Sequence, residues 1–189
     1  MRYLINEDMS LCTEADVERL LPLVSRQRRD YAMRYRHLFG RWTTLKTYEM
    51  VQQLLQEEGY LATIDDWLYT PEGKPFIPGG PCFSISHCKN ALAVAIDDRP
   101  IGIDIESIRP LIPALVERTM NLDEQQLIAS DSDPARAFIR LWTRKEALLK
   151  WKGTGIVEDL RGTLSEISGC DIRTWDGKDY VVSMAIDKG

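Results

Sequence analysis

The sequence predicts an α+β fold, in which long helices alternate with short strands. Residues 42–59, WTTLKTYEMVQQLLQEEG, place Leu45, Tyr48, Met50, Val51, Leu54 and Leu55 on a helical stripe that stops at Gly59. Residues 133–153 carry a second helix, opened by the capping pair Asp133-Pro134 and closed by Gly153. ALAVAI (91–96), IGIDIE (101–106) and the tail DIRTWDGKDYVVSMAI read as strands. One long helix and a few strands in each half permit two similar α+β halves.

Taken in order, residues 1–10 predict a first strand. Thr13-Glu14-Ala15-Asp16 opens a short helix to about Leu20. The stretch SRQRRDYAMRYRHLFGR follows, with Arg26, Arg28, Arg29, Arg34, Arg36 and Arg41. Two readings of it stay open: a solvated helix face, or a site for phosphate or an acidic protein. After the 42–59 helix, the segment from Trp67 to His87 is rich in Pro and Gly and predicts extended pieces joined by turns. ALAVAI, the turn DDRP and IGIDIE then read as an antiparallel hairpin. Pro110 and Pro113 mark a break before the next helices, and the tail reads as a final hairpin turning near Asp176-Gly177.

The 189 residues suffice for one large domain or two small halves. A content of 44% hydrophobic and 28% charged residues is that of a soluble globular protein. No apolar run approaches the ~20 residues of a membrane span, and MRYLINEDMS lacks the layout of a signal peptide, so the expectation is cytoplasmic. Cys12, Cys82, Cys88 and Cys170 form no CxxC pair, which argues against a zinc site or a disulfide framework. With only His37 and His87 present, a metal here would be a hard cation on carboxylate oxygens. A net charge of −5 and no stacking motif argue against nucleic acid as partner.

In the strand 101–106, Ile101, Ile103 and Ile105 point to one face, and Gly102, Asp104 and Glu106 to the other. Two residues along a strand span ~6.6 Å. At an effective dielectric of ~20, two like charges at that distance repel by ~2.5 kcal/mol. Either the face is solvated or paired with arginine, or the two carboxylates share a cation. On the 134–152 helix, Trp142, Glu146 and Lys150 stand at i, i+4, i+8. Glu146 and Lys150 make either a surface ion pair or a third carboxylate facing Asp104 and Glu106, with a lysine one turn on. FSISH (83–87) adds a histidine at a strand end, and Gly73-Lys74-Pro75 puts a cation on a stiff loop. Carboxylates for Mg²⁺ beside Lys, His and Arg for a polyphosphate are equipment for attack at phosphorus. Neither GxxxxGK[ST] nor GxGxxG is present.

GKP (73–75), FSISH (83–87), GIDIE (102–106) and LWTRKEALLKWKGTGI (141–156) stand in an order and spacing that resembles the 4′-phosphopantetheinyl transferase superfamily. The length is similar to that of the surfactin-synthetase-activating type. The resemblance covers roughly residues 20–160. It implies a pseudo-two-fold pair of α+β half-domains, each with a long helix packed on a small antiparallel sheet, at 1–98 and 99–189. It also implies transfer of the 4′-phosphopantetheine arm of coenzyme A to a serine of an apo acyl or peptidyl carrier protein, releasing adenosine 3′,5′-bisphosphate.

Carried over, Asp104, Glu106 and Glu146 would ligate Mg²⁺, with Mn²⁺ an alternative. Ser86 and His87 would contact the coenzyme's phosphates, Lys74 would lie near the nucleotide, and Lys150 near the pyrophosphate. Glu146, directly or through water, is the candidate base. Arg26, Arg34 and Arg36 are the candidates for the 3′-phosphate, with Arg41 behind them. Two halves in one chain imply a monomer. Cys88 departs from the serine common after the histidine. The competing reading is a non-catalytic module that binds coenzyme A or a carrier protein.

Overall fold

The computed structural model describes residues 1–60, 67–155, 159–165 and 167–188. Within them lie strands β1 (Arg2–Asn6), β2 (Leu68–Tyr69), β3 (Pro75–Phe76), β4 (Cys82–His87), β5 (Leu92–Asp97), β6 (Ile101–Ser107), β7 (Cys170–Asp176) and β8 (Tyr180–Asp187). The helices are α1 (Glu14–Leu20), α2 (Arg26–Ala32), α3 (Leu38–Glu57), α4 (Pro113–Thr119), α5 (Leu122–Ser130) and α6 (Pro134–Lys152). Ile156, the last residue of the long motif, lies outside the described residues.

Two three-stranded antiparallel sheets repeat one topology. The first has the order β1-β5-β4 and the second β6-β8-β7. Each is built from a first strand, a run of helices and a hairpin whose last strand inserts in the middle. The expected pairing of a long helix with a small antiparallel sheet is therefore present twice, α3 on the first sheet and α6 on the second.

The layers follow from side-chain alternation. Leu92, Val94 and Ile96 of β5 pack with Phe83 against Trp42, Leu45, Val51 and Leu55 of the α3 layer. Ala91, Ala93 and Ala95 turn the other way and meet Ile101, Ile103, Ile105, Val182 and Met184 of the second sheet. ALAVAI is apolar throughout because both of its faces are covered. The far face of the second sheet then packs through Val181 and Ala185 against Phe138, Ile139, Ala147 and Leu148 of α6. The order of layers is helix, sheet, sheet, helix.

The capping signals act as read. Thr13 accepts from Asp16 N, Asp133 accepts from Arg136 N with Pro134 in the first turn, and Gly153 ends α6 at φ 72°. The tail forms the β7–β8 hairpin through Gly177. The expected hairpin of 91–96 with 101–106 does not form. β5 already has β4 on one edge and β1 on the other, so it has no free edge, and β6 pairs with β8 instead. Two apolar strands around a polar loop look alike in sequence whether they pair or pass between sheets.

Two contacts fix α6 in place. Gly102 lets the helix backbone touch β6: a Cβ there would come within 2.1 Å of Ala147 O and 2.4 Å of Trp151 N. On another side Lys145, fully buried, donates to Glu124 Oε2 at 2.6 Å and to Thr119 O at 2.8 Å. Glu124 also accepts from Asn121 N in the capping box that starts α5. Overpacking against backbone costs ~1–3 kcal/mol, so Gly102→Ala is expected to lower urea-denaturation stability by at least that much. Lys145→Ala strands a buried carboxylate and is expected to cost about 3–5 kcal/mol in the same measurement.

Candidate active site

β4 and β6 are edge strands of their respective sheets, and α6 crosses β6 at Gly102. These three elements bring the sequence motifs together. Asp104 on β6 is buried at 4% exposure. Its Oδ1 accepts from Lys150 Nζ at 2.7 Å and from Ser86 Oγ at 2.8 Å. Lys150 also reaches Ile85 O at 3.3 Å. Among the described residues Asp104 Oδ2, which is buried, has no hydrogen-bond partner.

A cleft of about 380 Å³ opens beside this cluster, lined among others by Arg28, Tyr69, Lys74, His87, Glu146 and Lys150. That is the scale of a small-molecule site. Arg28 is buried, although it lies on an arginine-rich stretch. Its Nε and Nη2 donate to Thr44 O, and its Nη1 donates to Tyr69 Oη at 3.1 Å. The guanidinium lies over the rings of Tyr31 and Tyr48 at 5.4 and 5.5 Å. Among the described residues no carboxylate stands within 4.0 Å of it. A buried cation without a counter-charge, on the wall of a cleft, suits an anionic ligand.

Lys74 donates from Nζ to Lys150 O at 2.5 Å and to Trp151 O at 3.4 Å, meeting the negative end of α6. Burial pushes its ammonium below the usual lysine range. His87 packs edge-on against Phe39, with ring centroids 6.1 Å apart. The protein around its ring, and then the Lys150 ammonium, hold it below the usual imidazole range. Glu146 is raised, first by burial and then by Asp104. Glu106 is pushed up to about 7, first by burial, then by Asp104, with Arg109 and Lys150 pulling back and Glu146 adding to the rise.

The three carboxylates thus feel one another, and burial disfavours the charge on Glu106 and Glu146. Among the described residues no group of three His, Cys, Asp or Glu is gathered closely enough to hold a metal as it stands. Lys150 meets Asp104 instead. The donor set is nonetheless of a kind that suits a hard divalent cation: three carboxylates, two of them raised by burial and by Asp104, and among the described residues an unpartnered Asp104 Oδ2.

Of the residues singled out in the sequence, Lys74, His87, Glu146 and Lys150 line the cleft, and Asp104, Glu106 and Ser86 stand in the adjoining cluster. Arg34 lines a neighbouring hollow shared with Arg28 and Tyr69. Arg26 points to solvent, its side chain 94% exposed, and Arg36 is exposed. Arg41 pairs with Glu14 at 2.6 Å. The sequence reading left Arg28 out of its candidates. A signal was present: Val24, Arg28 and Ala32 stand at i, i+4, i+8, and all three are buried. Tyr69 and Thr44 carried no comparable signal.

The sequence family described as the 4′-phosphopantetheinyl transferase superfamily matches residues 100–187. The chain is 34% identical over 158 residues to 4′-phosphopantetheinyl transferase psf-1 of Bacillus pumilus, covering 80% of this chain and 67% of that one. It is 33% identical to 4′-phosphopantetheinyl transferase Sfp of Bacillus subtilis (strain 168), over 82% of this chain and 70% of that one. The chain belongs to the 4′-phosphopantetheinyl transferase superfamily, in its surfactin-synthetase-activating type. A further transferase, HetI of Nostoc sp. (strain PCC 7120 / SAG 25.82 / UTEX 2576), is 37% identical over 100 residues, which is 48% of this chain and 42% of HetI. As a phosphopantetheinyl transferase the chain is a group-transfer enzyme that modifies carrier proteins. Among the described residues no helix is long and apolar enough to cross a membrane.

The raised Glu106 sets a pH dependence. Its proton is held more tightly in the folded chain than in the unfolded one, so stability falls as pH rises from about 4.5 to about 7. Glu106→Gln is expected to flatten that fall. Thermal unfolding of both proteins across pH 4.5–8 reads the difference.

Proposed function

We propose that this transferase moves the 4′-phosphopantetheine arm of coenzyme A to a serine of an apo acyl or peptidyl carrier protein. Adenosine 3′,5′-bisphosphate leaves. The observation that supports this reading most is the joining of two features in one site. A cleft walled by Arg28, Lys74, His87 and Lys150 runs into the Asp104, Glu106 and Glu146 cluster. Cations suit phosphates, and carboxylates suit Mg²⁺ or Mn²⁺ and a proton.

In this reading Asp104, Glu106 and Glu146 hold the metal. When bound, the metal supplies Lewis-acid polarisation of the pyrophosphate oxygens. Arg28 meets the terminal monoester phosphate of coenzyme A, its guanidinium held by Thr44 and Tyr69. His87 and Lys74 wall the nucleotide side, and Lys150 balances charge on the departing phosphate. The carrier serine's Oγ forms a bond to the pantetheine-side phosphorus as the pyrophosphate bridge to the nucleotide breaks. The hydroxyl proton passes to Glu146, directly or through water. In the metal-free site burial and Asp104 raise the Glu146 carboxyl, so its proton is held more tightly there than on an exposed carboxylate. The exposed Arg26 and Arg36 put positive charge on the surface of an overall acidic chain, suited to orienting an acidic carrier. Residues 1–98 supply most of the nucleotide wall and residues 99–189 the metal cluster, in a monomer. The four free thiols suit a cytoplasmic enzyme.

The test is the intact mass of an apo carrier protein after incubation with this protein, coenzyme A and Mg²⁺. A gain of one phosphopantetheine arm is expected, lost with EDTA and reduced by ~100-fold or more in rate with Asp104→Ala. Asp104→Ala should still unfold cooperatively. Coenzyme A binding in calorimetry without transfer to acyl or peptidyl carriers would replace this reading with a non-catalytic binding module.

A further inference from the structure

α6 lies across the second sheet, and one row of that sheet beneath it is polar. On β8, Val181, Ser183 and Ala185 face α6. Ser183 stands directly opposite Asp104 of β6 and Thr174 of β7. Opposite residues share a face, so Asp104, Ser183 and Thr174 form one transverse row. The next row, Gly102, Ala185 and Ile172, carries no polar side chain.

The helix is bonded to the polar row at two points. Thr143 meets Ser183, hydroxyl to hydroxyl, at 2.8 Å, and Lys150 meets Asp104 at 2.7 Å. Thr143 and Lys150 stand at i and i+7, ~10.5 Å apart along one face of α6. Two points fix where a helix stands on a sheet and which way it runs.

The hydroxyls are committed. Thr143 and Ser183 are both 0% exposed, so each needs a partner inside the fold. Thr143 donates to Arg140 O at 3.2 Å, and Thr174 reaches Ser183 Oγ at 2.8 Å. With one proton per hydroxyl, a single directed chain satisfies all three: Thr174 to Ser183, Ser183 to Thr143, Thr143 to Arg140 O. The apolar contacts of α6, through Phe138, Ile139, Ala147 and Leu148, are non-directional. A hydroxyl pair at 2.8 Å is directional, and a slide of one residue's rise, ~1.5 Å, breaks it. Gly102 sets how close α6 comes to β6, and Lys145 ties it to α5. The bond to the central strand is that of Thr143.

We infer that Thr143 and Ser183 are positioning residues: their buried bond sets the register of α6 over the Asp104 row, and so places Glu146 and Lys150 against Asp104. Lys150 alone does not suffice, because it also serves the departing phosphate and its contact with Asp104 is open to exchange. Thr143 and Ser183 take no part in the chemistry, so their bond holds throughout. The inference rests on the metal-site reading given above.

The experiment measures Mn²⁺ affinity by electron paramagnetic resonance on the full chain, with coenzyme A present and no carrier protein. Metal-free coenzyme A binding by calorimetry and urea-denaturation stability accompany it. Thr143→Val keeps the shape and removes the hydroxyl, and Ser183→Ala removes the same bond from the other side. Thr143→Ser keeps the hydroxyl and loses the methyl. Thr174→Val breaks the other bond of Ser183, inside the sheet, and leaves the helix bond. The expected result is ~10-fold or greater weakening of Mn²⁺ binding in Thr143→Val and Ser183→Ala. Thr143→Ser and Thr174→Val should stay within ~2-fold of wild type, as should metal-free coenzyme A binding by all four. In a Glu146→Gln background Thr143→Val should weaken Mn²⁺ binding no further, because the ligand it places is gone. Unchanged Mn²⁺ affinity in Thr143→Val or Ser183→Ala would overturn the inference. So would equal weakening in Thr143→Ser or Thr174→Val, since affinity would then follow stability, and so would a full Thr143→Val effect in the Glu146→Gln background. If wild type binds no Mn²⁺, or Asp104→Asn binds it equally well, the metal-site reading fails and takes this inference with it.

Discussion

A carboxylate buried between two sheets and a helix is the constraint around which this molecule is arranged. Asp104 is 4% exposed, and an uncompensated charge at that depth is expensive. Lys150 and Ser86 compensate one oxygen, and each comes from a different element: α6 and β4. For Lys150 to arrive, α6 has to lie on β6, and that approach exists only because position 102 has no side chain. For Ser86 to arrive, β4 has to lie along the free edge of β6, which requires the topology in which β5 and β8 take the central positions.

The remaining cations around the cleft are held by the same economy of partners. Lys74 caps the carbonyl end of α6, so the loop carrying it is tied to the helix carrying Lys150. Arg28 is enclosed by aromatic rings and bonded to a carbonyl and a phenol, neither of which neutralises it. Lys145 differs. It has a buried carboxylate partner in Glu124, faces α5 and the end of α4, and serves packing. Two lysines five residues apart on one helix therefore have unlike surroundings, because they leave the helix in different directions.

The repeated topology explains how one short chain builds such a site. Each half supplies a strand edge and a long helix, and the inner faces of the two sheets, alanines on one side and isoleucines on the other, let the edges come close. The site forms where the halves join, with hydroxyls from one and carboxylates from the other.

Much of this was legible in the sequence, and the reasons are local. Capping pairs, the Tyr48–Leu55 stripe and the period-two alternation of IGIDIE are properties of neighbouring residues, so they fixed the helices, the strand and the facing of Asp104 and Glu106. The spacing of GKP, FSISH, GIDIE and the WTRKEALLK helix named the family. Partner choice was not legible. Nothing local distinguishes a hairpin from a passage between sheets, so the 91–106 pairing is decided by β1 and β4, which occupy both edges of β5. Nor could composition say that Arg28 turns inward while Arg26, two residues away, stays 94% exposed. Which residue meets which depends on contacts between residues far apart in the chain, such as Ser86 with Asp104 and Lys74 with Lys150 O. Those are decided only when the layers pack, because burial creates the need for each partner.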